Sequence, residues 1–124
     1  MKILYDTNFL MSVIKFKINL FYELELIIET PYENIVLDSV IKELKNLSNG
    51  TNKTSDEAKL CLKLIQTDNF QFLKSPKGKV DDVLISLADK DTAVATNDIE
   101  LRKRLKSKGI KTIYLRSKKH LAMS

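Results

Sequence analysis

Asp6, Glu43, Asp81, Asp82 and Asp98 stand at intervals along this sequence of 124 residues that a fold could draw together. Asp6 ends the apolar run Ile3-Leu4-Tyr5, Asp81 and Asp82 follow Val80, and Asp98 follows Thr96-Asn97. Taken singly, an acid at a helix start caps backbone N–H groups and complements the helix dipole. Glu43 is harder to explain that way, because it lies between Val40 and Leu47 near an apolar stripe, where a lone carboxylate is costly without a cation. Carboxylates without a histidine or cysteine cluster favour hard cations, so the expected ion is Mg2+ or Mn2+ and not zinc. One or two such ions can activate water and stabilise the leaving oxygen of a phosphodiester, which makes its hydrolysis the expected chemistry. His120, the sole histidine, lies in a basic tail and reads as a surface residue, and no Ser-His or Cys-His nucleophile can be built around it.

The elements that must hold these acids follow from periodicity. Ile3 to Asp6 reads as a strand, with Thr7 a plausible cap for a helix carrying Phe9, Leu10 and Val13. A second helix runs from Leu20 to Ile28 and stops at Thr30-Pro31. Ile35 to Leu37 is a strand, and Asp38 or Ser39 can cap the helix through Val40, Ile41, Leu44 and Leu47. Ser48 to Ser55 is a loop, Asp56 to Gln66 a helix, Phe70 to Leu73 a strand and Ser75-Pro76-Lys77-Gly78 a turn. Val80 to Ala88 is a helix, Thr92 to Thr96 a strand, Asp98 to Lys108 a helix closed by Gly109, and Lys111 to Leu115 a last strand. Strands alternating with helices imply a parallel sheet of about five strands covered on both faces, in one domain spanning residues 1–124. In such a sheet ligands bind at the carboxyl ends of the strands near the topological switch point, where these acids fall.

A chain with 44% hydrophobic and 30% charged residues can bury a core, which excludes disorder. No apolar stretch approaches the roughly 20 residues that span a bilayer, and Asp6 interrupts the N-terminus before a signal-peptide core could form. Cys61 is the only cysteine, set among Leu60, Leu62 and Leu64, and reads as a small packed side chain in a cytoplasmic protein. The formal charge of +5 conceals an asymmetry: residues 101–124 carry nine basic residues and no acid. An acidic body with a basic end suits a protein that holds cations and attracts a polyanion, although a solvated basic helix and tail gives the same composition.

Ile3-Leu4-Tyr5-Asp6-Thr7-Asn8-Phe9-Leu10 and Val94-Ala95-Thr96-Asn97-Asp98-Ile99-Glu100-Leu101 resemble the first and last acidic motifs of PIN-domain nucleases. Val40-Ile41-Lys42-Glu43-Leu44 resembles the second, and Val80-Asp81-Asp82-Val83-Leu84 with Ala88 the third. The resemblance spans essentially the whole chain. It implies a three-layer α/β/α domain, Mg2+- or Mn2+-dependent endonucleolytic cleavage of single-stranded or structured RNA, and frequent homodimers. It makes Asp6, Glu43, Asp81 and Asp98 the catalytic acids, with Asp6, Asp81, Asp98 and also Asp82 as candidate metal ligands. The family's third motif selects Asp81, with Leu84 and Ala88 behind it; Asp82 points nearer the opposite side of the helix. Thr7, Asn8, Thr96 and Asn97 are candidates to position the acids and water, with capping an equal account of Thr7 and Asn97, and Glu100 is a fifth acid.

Two branches of the family compete: toxins of the VapC type, neutralised by an antitoxin protein, and domains similar to archaeal and eukaryotic rRNA-processing nucleases. Asp81-Asp82 and Thr96-Asn97-Asp98 resemble the second and a VapC subgroup close to it, while the small size suits a stand-alone toxin. Haloacid-dehalogenase-like phosphotransferases require a second Asp where this chain has Asn8, and a response-regulator receiver requires a central phosphoacceptor Asp and a late strand-end Lys that are poorly matched. The non-enzymatic rival is a catalytically silent RNA-binding module using Arg102, Lys103, Arg104 and Lys106. In the nuclease those same residues are expected to steer RNA towards the acids. Tyr22, Phe70 and Phe72 are expected in the core.

Overall fold

Ile3, Leu4 and Tyr5 are apolar in succession, and in the computed structural model, which describes residues 1–124, all three are buried in strand β1 (Lys2–Tyr5). A strand buried on both faces belongs inside a parallel sheet. On one side of β1 lie β2 (Glu33–Leu37) and β3 (Phe70–Leu73); on the other lie β4 (Thr92–Ala95) and β5 (Lys111–Arg116), all parallel. A sixth strand, β6 (His120–Met123), is antiparallel to β5 and completes the order β3-β2-β1-β4-β5-β6.

β1 leads through α1 (Thr7–Lys15) and α2 (Leu20–Ile27) to β2, and β2 through α3 (Asp38–Leu47) and α4 (Lys53–Ile65) to β3. The chain then crosses back through α5 (Val80–Leu87) to β4 and continues through α6 (Ile99–Ser107) to β5. Right-handed crossovers put the helices of the two halves on opposite faces once the direction of winding reverses between β1 and β4. Consistent with this, α1, α3 and α4 pack together, as do α5 and α6, which gives the expected three-layer α/β/α arrangement. The switch point is the gap beyond the carboxyl ends of β1 and β4, where Asp6 and Asp98 follow their strands.

Gly109 ends α6 as expected: at φ +74° it donates its N–H to the Lys106 carbonyl at 3.0 Å while Ile110 N–H reaches the Leu105 carbonyl at 3.0 Å, the paired bonds of a Schellman closure. Cys61 is a buried side chain whose thiol donates to the Leu10 carbonyl at 3.3 Å, and burial pushes its pKa up to about 12, so it is a packed thiol and not a reactive one. Phe70 is buried, but Tyr22 and Phe72 are 59% and 55% exposed, against expectation. Tyr22 lies on α2, and β3, which carries Phe72, is an edge strand with few neighbours to cover it. The loop ahead of α4 is shorter than the run of polar residues suggested, because Asn52 caps the helix by accepting from Ser55 N–H at 2.8 Å. Neither Asp38 nor Ser39 caps α3; Asp38 instead accepts from the backbone N–H of Ser75 at 2.8 Å and from its hydroxyl, tying α3 to the turn after β3.

β6 was not expected. Lys119 N–H donates to the Arg116 carbonyl at 3.2 Å across a turn whose central residues, Ser117 and Lys118, have φ of 55° and 57°. Two left-handed residues match the twist of a hairpin, but the usual signal is Asn-Gly, and Ser-Lys does not announce it. β6 is held from below by Glu23 of α2, a buried carboxylate that accepts from Leu121 N–H at 2.9 Å and stands 3.3 Å from His120 Nδ1. Replacing Ser117 by Asn and Lys118 by Gly relieves the left-handed strain. The double variant is expected to gain about 1 kcal/mol, or about 3 °C in Tm, in a thermal melt, and an unchanged or lower Tm counts against the strained-turn account.

Candidate active site

Asp6 continues β1 in extended conformation (φ −88°, ψ 162°), with its N–H donated to the Ala95 carbonyl at 3.1 Å. Its Oδ1 accepts from Phe9 N–H at 2.6 Å, so Asp6 and not Thr7 caps α1; Thr7 is the first helical residue, where its side chain cannot reach the same orphan donors. Asp6 is only 7% exposed. Burial pushes its carboxyl up from 3.8 to about 6; the Thr96 hydroxyl and the Phe9 amide pull it down, while Asp81 and Asp98 repel its charge and raise it further. The Thr7 hydroxyl, one residue on, is buried without a hydrogen-bond partner, and so is that of Ser39 at the start of α3.

Across the switch point, Thr96 is fully buried and donates its N–H to the Ile113 carbonyl at 2.9 Å. Its hydroxyl accepts from Asp98 N–H at 3.1 Å. Asp98 in turn caps α6, accepting from Glu100 N–H at 2.9 Å and Leu101 N–H at 3.2 Å, and its side chain stays solvent-accessible. Asn97 caps nothing. Its amide donates to Ser12 Oγ at 3.0 Å and accepts from Leu115 N–H at 2.8 Å, clamping α1 to β5 and thereby fixing the spacing between the segments that carry Asp6 and Asp98.

Asp81 and Asp82 open α5 and differ in exposure. Asp81 is half-buried, and burial raises its pKa; Asp98 and Asp82 add repulsion, against the Arg104 charge, which lowers it. Asp82 is exposed and accepts from Arg104 Nη2 at 2.8 Å. Both partners are more than half exposed, so this ion pair is weak. Glu43, Asp81, Asp82, Arg104 and Lys79 line a cleft of about 550 Å3. Lys79 was missed in the sequence, where its only signal was its place just ahead of the acidic pair. Glu43 reaches the cleft wall but is solvent-exposed, so burial cost does not explain it; it lies on the flank of α3 whose neighbours Val40 and Leu44 carry the buried stripe.

Two expected positions stay apart from this centre. Asn8 is exposed in the first turn of α1 and makes no side-chain hydrogen bond, and Glu100 is exposed with its carboxylate 3.8 Å from Lys103 Nζ. The basic residues of α6 do not form one surface. Arg104 turns to Asp82 on α5, whereas the Arg102 guanidinium lies over the Tyr114 ring at 3.7 Å, with Lys103 and Lys106 exposed beside it. The largest hollow, about 750 Å3, lies at the opposite, amino end of the sheet, where Glu25, Glu33 and Asp68 line it, and is remote from these groups.

No three of the acids converge closely enough to form a ready-made ligand set. Their chemistry nevertheless fits a hard divalent cation: the donors are all oxygens, Asp6, Asp81 and Asp98 repel one another, and an orphaned hydroxyl lies next to Asp6.

A family model described as a PIN like domain matches residues 3–118. Ribonuclease VapC4 of Methanocaldococcus jannaschii is 32% identical over 122 residues, covering 96% of this chain and 93% of that protein. Among solved structures, that of the PIN domain endonuclease Utp24 superposes with a TM-score of 0.82 at 23% identity, over 99% of this chain and 90% of the other, a likeness of fold. No helix is long and apolar enough to cross a membrane.

Proposed function

This chain belongs to the PIN-like domain family, and on that premise we propose that it is a divalent-metal-dependent endoribonuclease of the VapC type, hydrolysing RNA phosphodiester bonds at the switch point of its sheet. One observation carries the reading: Asp6, Asp81 and Asp98, from three separate elements, lie close enough that Asp81 and Asp98 raise the Asp6 carboxyl and Asp98 raises that of Asp81. Acids that raise one another's pKa in a cleft beyond the carboxyl ends of strands are candidates for a functional site.

Asp6, Asp81 and Asp98 would hold Mg2+ or Mn2+, with Asp82 available once Arg104 lets go. A bound divalent ion supplies activation of water and neutralisation of charge on the phosphate. The chain's own residues do the positioning. The Phe9 N–H fixes the Asp6 carboxylate, Thr96 steadies Asp98 through its backbone, and Asn97 holds the two flanks in register. Glu43, on the cleft wall, is the acid left free to accept a proton. Identity to Ribonuclease VapC4 favours the toxin branch over the rRNA-processing one, and an antitoxin protein is then the expected partner.

The test is cleavage of a labelled structured RNA by purified protein in Mg2+, Mn2+ or EDTA. Cutting is expected with either ion and none in EDTA. RNA that binds but stays intact in every metal would transfer the assignment to the silent RNA-binding module.

A further inference from the structure

We propose that the hollow between α6 and the edge hairpin β5–β6 is a subsite for a nucleotide of single-stranded RNA lying beyond the scissile bond. The inference rests on the ribonuclease reading above. The hollow measures about 400 Å3 and is lined by Ile99, Arg102, Lys103, Lys106 and Tyr114, together with Thr112 and Ser124, and by no acidic side chain. Its volume falls in the range of small-ligand pockets, roughly 300–1,000 Å3.

Arg102 distinguishes this hollow from a solvated basic face. Its guanidinium is stacked on Tyr114 at 3.7 Å and makes no ion pair, and its Nε is buried without a hydrogen-bond partner. Arg104, two residues on, is already neutralised by Asp82. A guanidinium stacked on a ring has lost side-chain freedom before any ligand arrives, and its terminal Nη nitrogens, which make no ion pair, are the ones left for a phosphate. Lys106 has no ionic partner, and Lys103 only the exposed Glu100 at 3.8 Å, a contact that gives way readily.

The remaining surface suits a base. Ile99 is 63% exposed and lines the hollow together with Tyr114, so an apolar and an aromatic side chain stand beside the cations. Ile99 also directly follows Asp98, so an RNA strand lying across the acids enters the hollow after a single residue of protein. An acidic peptide would satisfy the three cations but would leave the aromatic and apolar surfaces without a purpose.

The experiment uses the full chain in EDTA with a poly(U) oligonucleotide of about 16 residues containing 4-thiouridine. A photocrosslink on the peptide containing Tyr114 or Ile99 is expected. The variant Arg102→Lys with Lys106→Ala is expected to bind about tenfold more weakly by fluorescence anisotropy, with the slope of log Kd against log salt reduced by about 1. Arg102→Lys alone keeps the charge but loses the stacked plane, so it is expected to weaken binding without changing the slope; far-UV circular dichroism confirms that both variants fold. If wild type binds and cuts RNA while the variants bind equally well and crosslinks fall elsewhere, the subsite is overturned and the ribonuclease reading stands. Displacement by a poly-glutamate peptide in preference to poly(U) overturns it in favour of an acidic protein, and a wild type that neither binds nor cuts RNA overturns both.

Discussion

Asp6→Asn is expected to slow RNA cleavage by about a thousandfold or more, which corresponds to about 4 kcal/mol of transition-state stabilisation. The substitution is nearly isosteric, so its effect on rate can be separated from an effect on fold. Asn is as good a helix cap as Asp, and its carbonyl oxygen can still accept from Phe9 N–H. What disappears is a negative charge that burial and two neighbouring carboxylates already hold at a disadvantage. Without divalent metal, then, the variant should melt no lower than wild type at neutral pH, and in saturating Mn2+ it should gain less. Single-turnover cleavage and a thermal melt on the same preparation check both halves. Cleavage at the wild-type rate would remove Asp6 from the chemistry, and a collapsed melting curve would assign it to the fold.

Metal-free protein is expected to lose stability as pH rises from about 4 to above 6, the reverse of ordinary acid denaturation. The sign follows from the Asp6 carboxyl, raised from 3.8 to about 6 chiefly by burial: between those values the folded state holds a proton that the unfolded chain has released. Stability from that proton is fully present below the unfolded pKa and is lost as pH passes the folded one, at most about 3 kcal/mol for a shift of this size. Asp81 is raised for the same first reason and adds in the same direction. Asp38 and Asp89 are lowered by hydrogen bonds from Ser75 and from the Asp91 backbone, so they act oppositely, below about pH 4. A divalent cation should remove the penalty, giving about 2.7 kcal/mol at a hundredfold excess over Kd and releasing protons when bound near pH 6. Melts at several pH values in EDTA and in Mn2+ decide this, and a Tm that climbs steadily from pH 4 to 7 in EDTA would contradict it.

Much of this was legible beforehand because periodicity and chain punctuation are local. Ile3 to Tyr5 read as a buried strand, Gly109 as a helix stop, and Asp6, Asp81 and Asp98 as residues of strand ends and helix starts, and each stands there. What stayed hidden depends on partners distant in sequence. Asn97 reads as a cap until Ser12 and Leu115 are seen on either side of it. Arg104 reads as one of four equivalent cations until Asp82 is found beside it. Glu43 carries a burial cost when read from its neighbours in sequence, but the flank of α3 it occupies faces an open cleft. The edge hairpin escaped because Ser117 and Lys118 occupy left-handed positions where glycine or asparagine would have given the signal.

The pairing of β1 with β4, in which Tyr5 lies opposite Ala95, has a consequence for the order of events during synthesis. Asp98 leaves the ribosome 92 residues after Asp6. At translation rates of about 5–20 residues per second, Asp6 waits on the order of 5 to 20 s for the strand that brings its partner alongside. On the reading proposed above, the growing chain sits among messenger and ribosomal RNA throughout that interval. With its acids spread over those 92 residues, the growing polypeptide carries no assembled centre until Asp98 has joined Asp6 at the switch point.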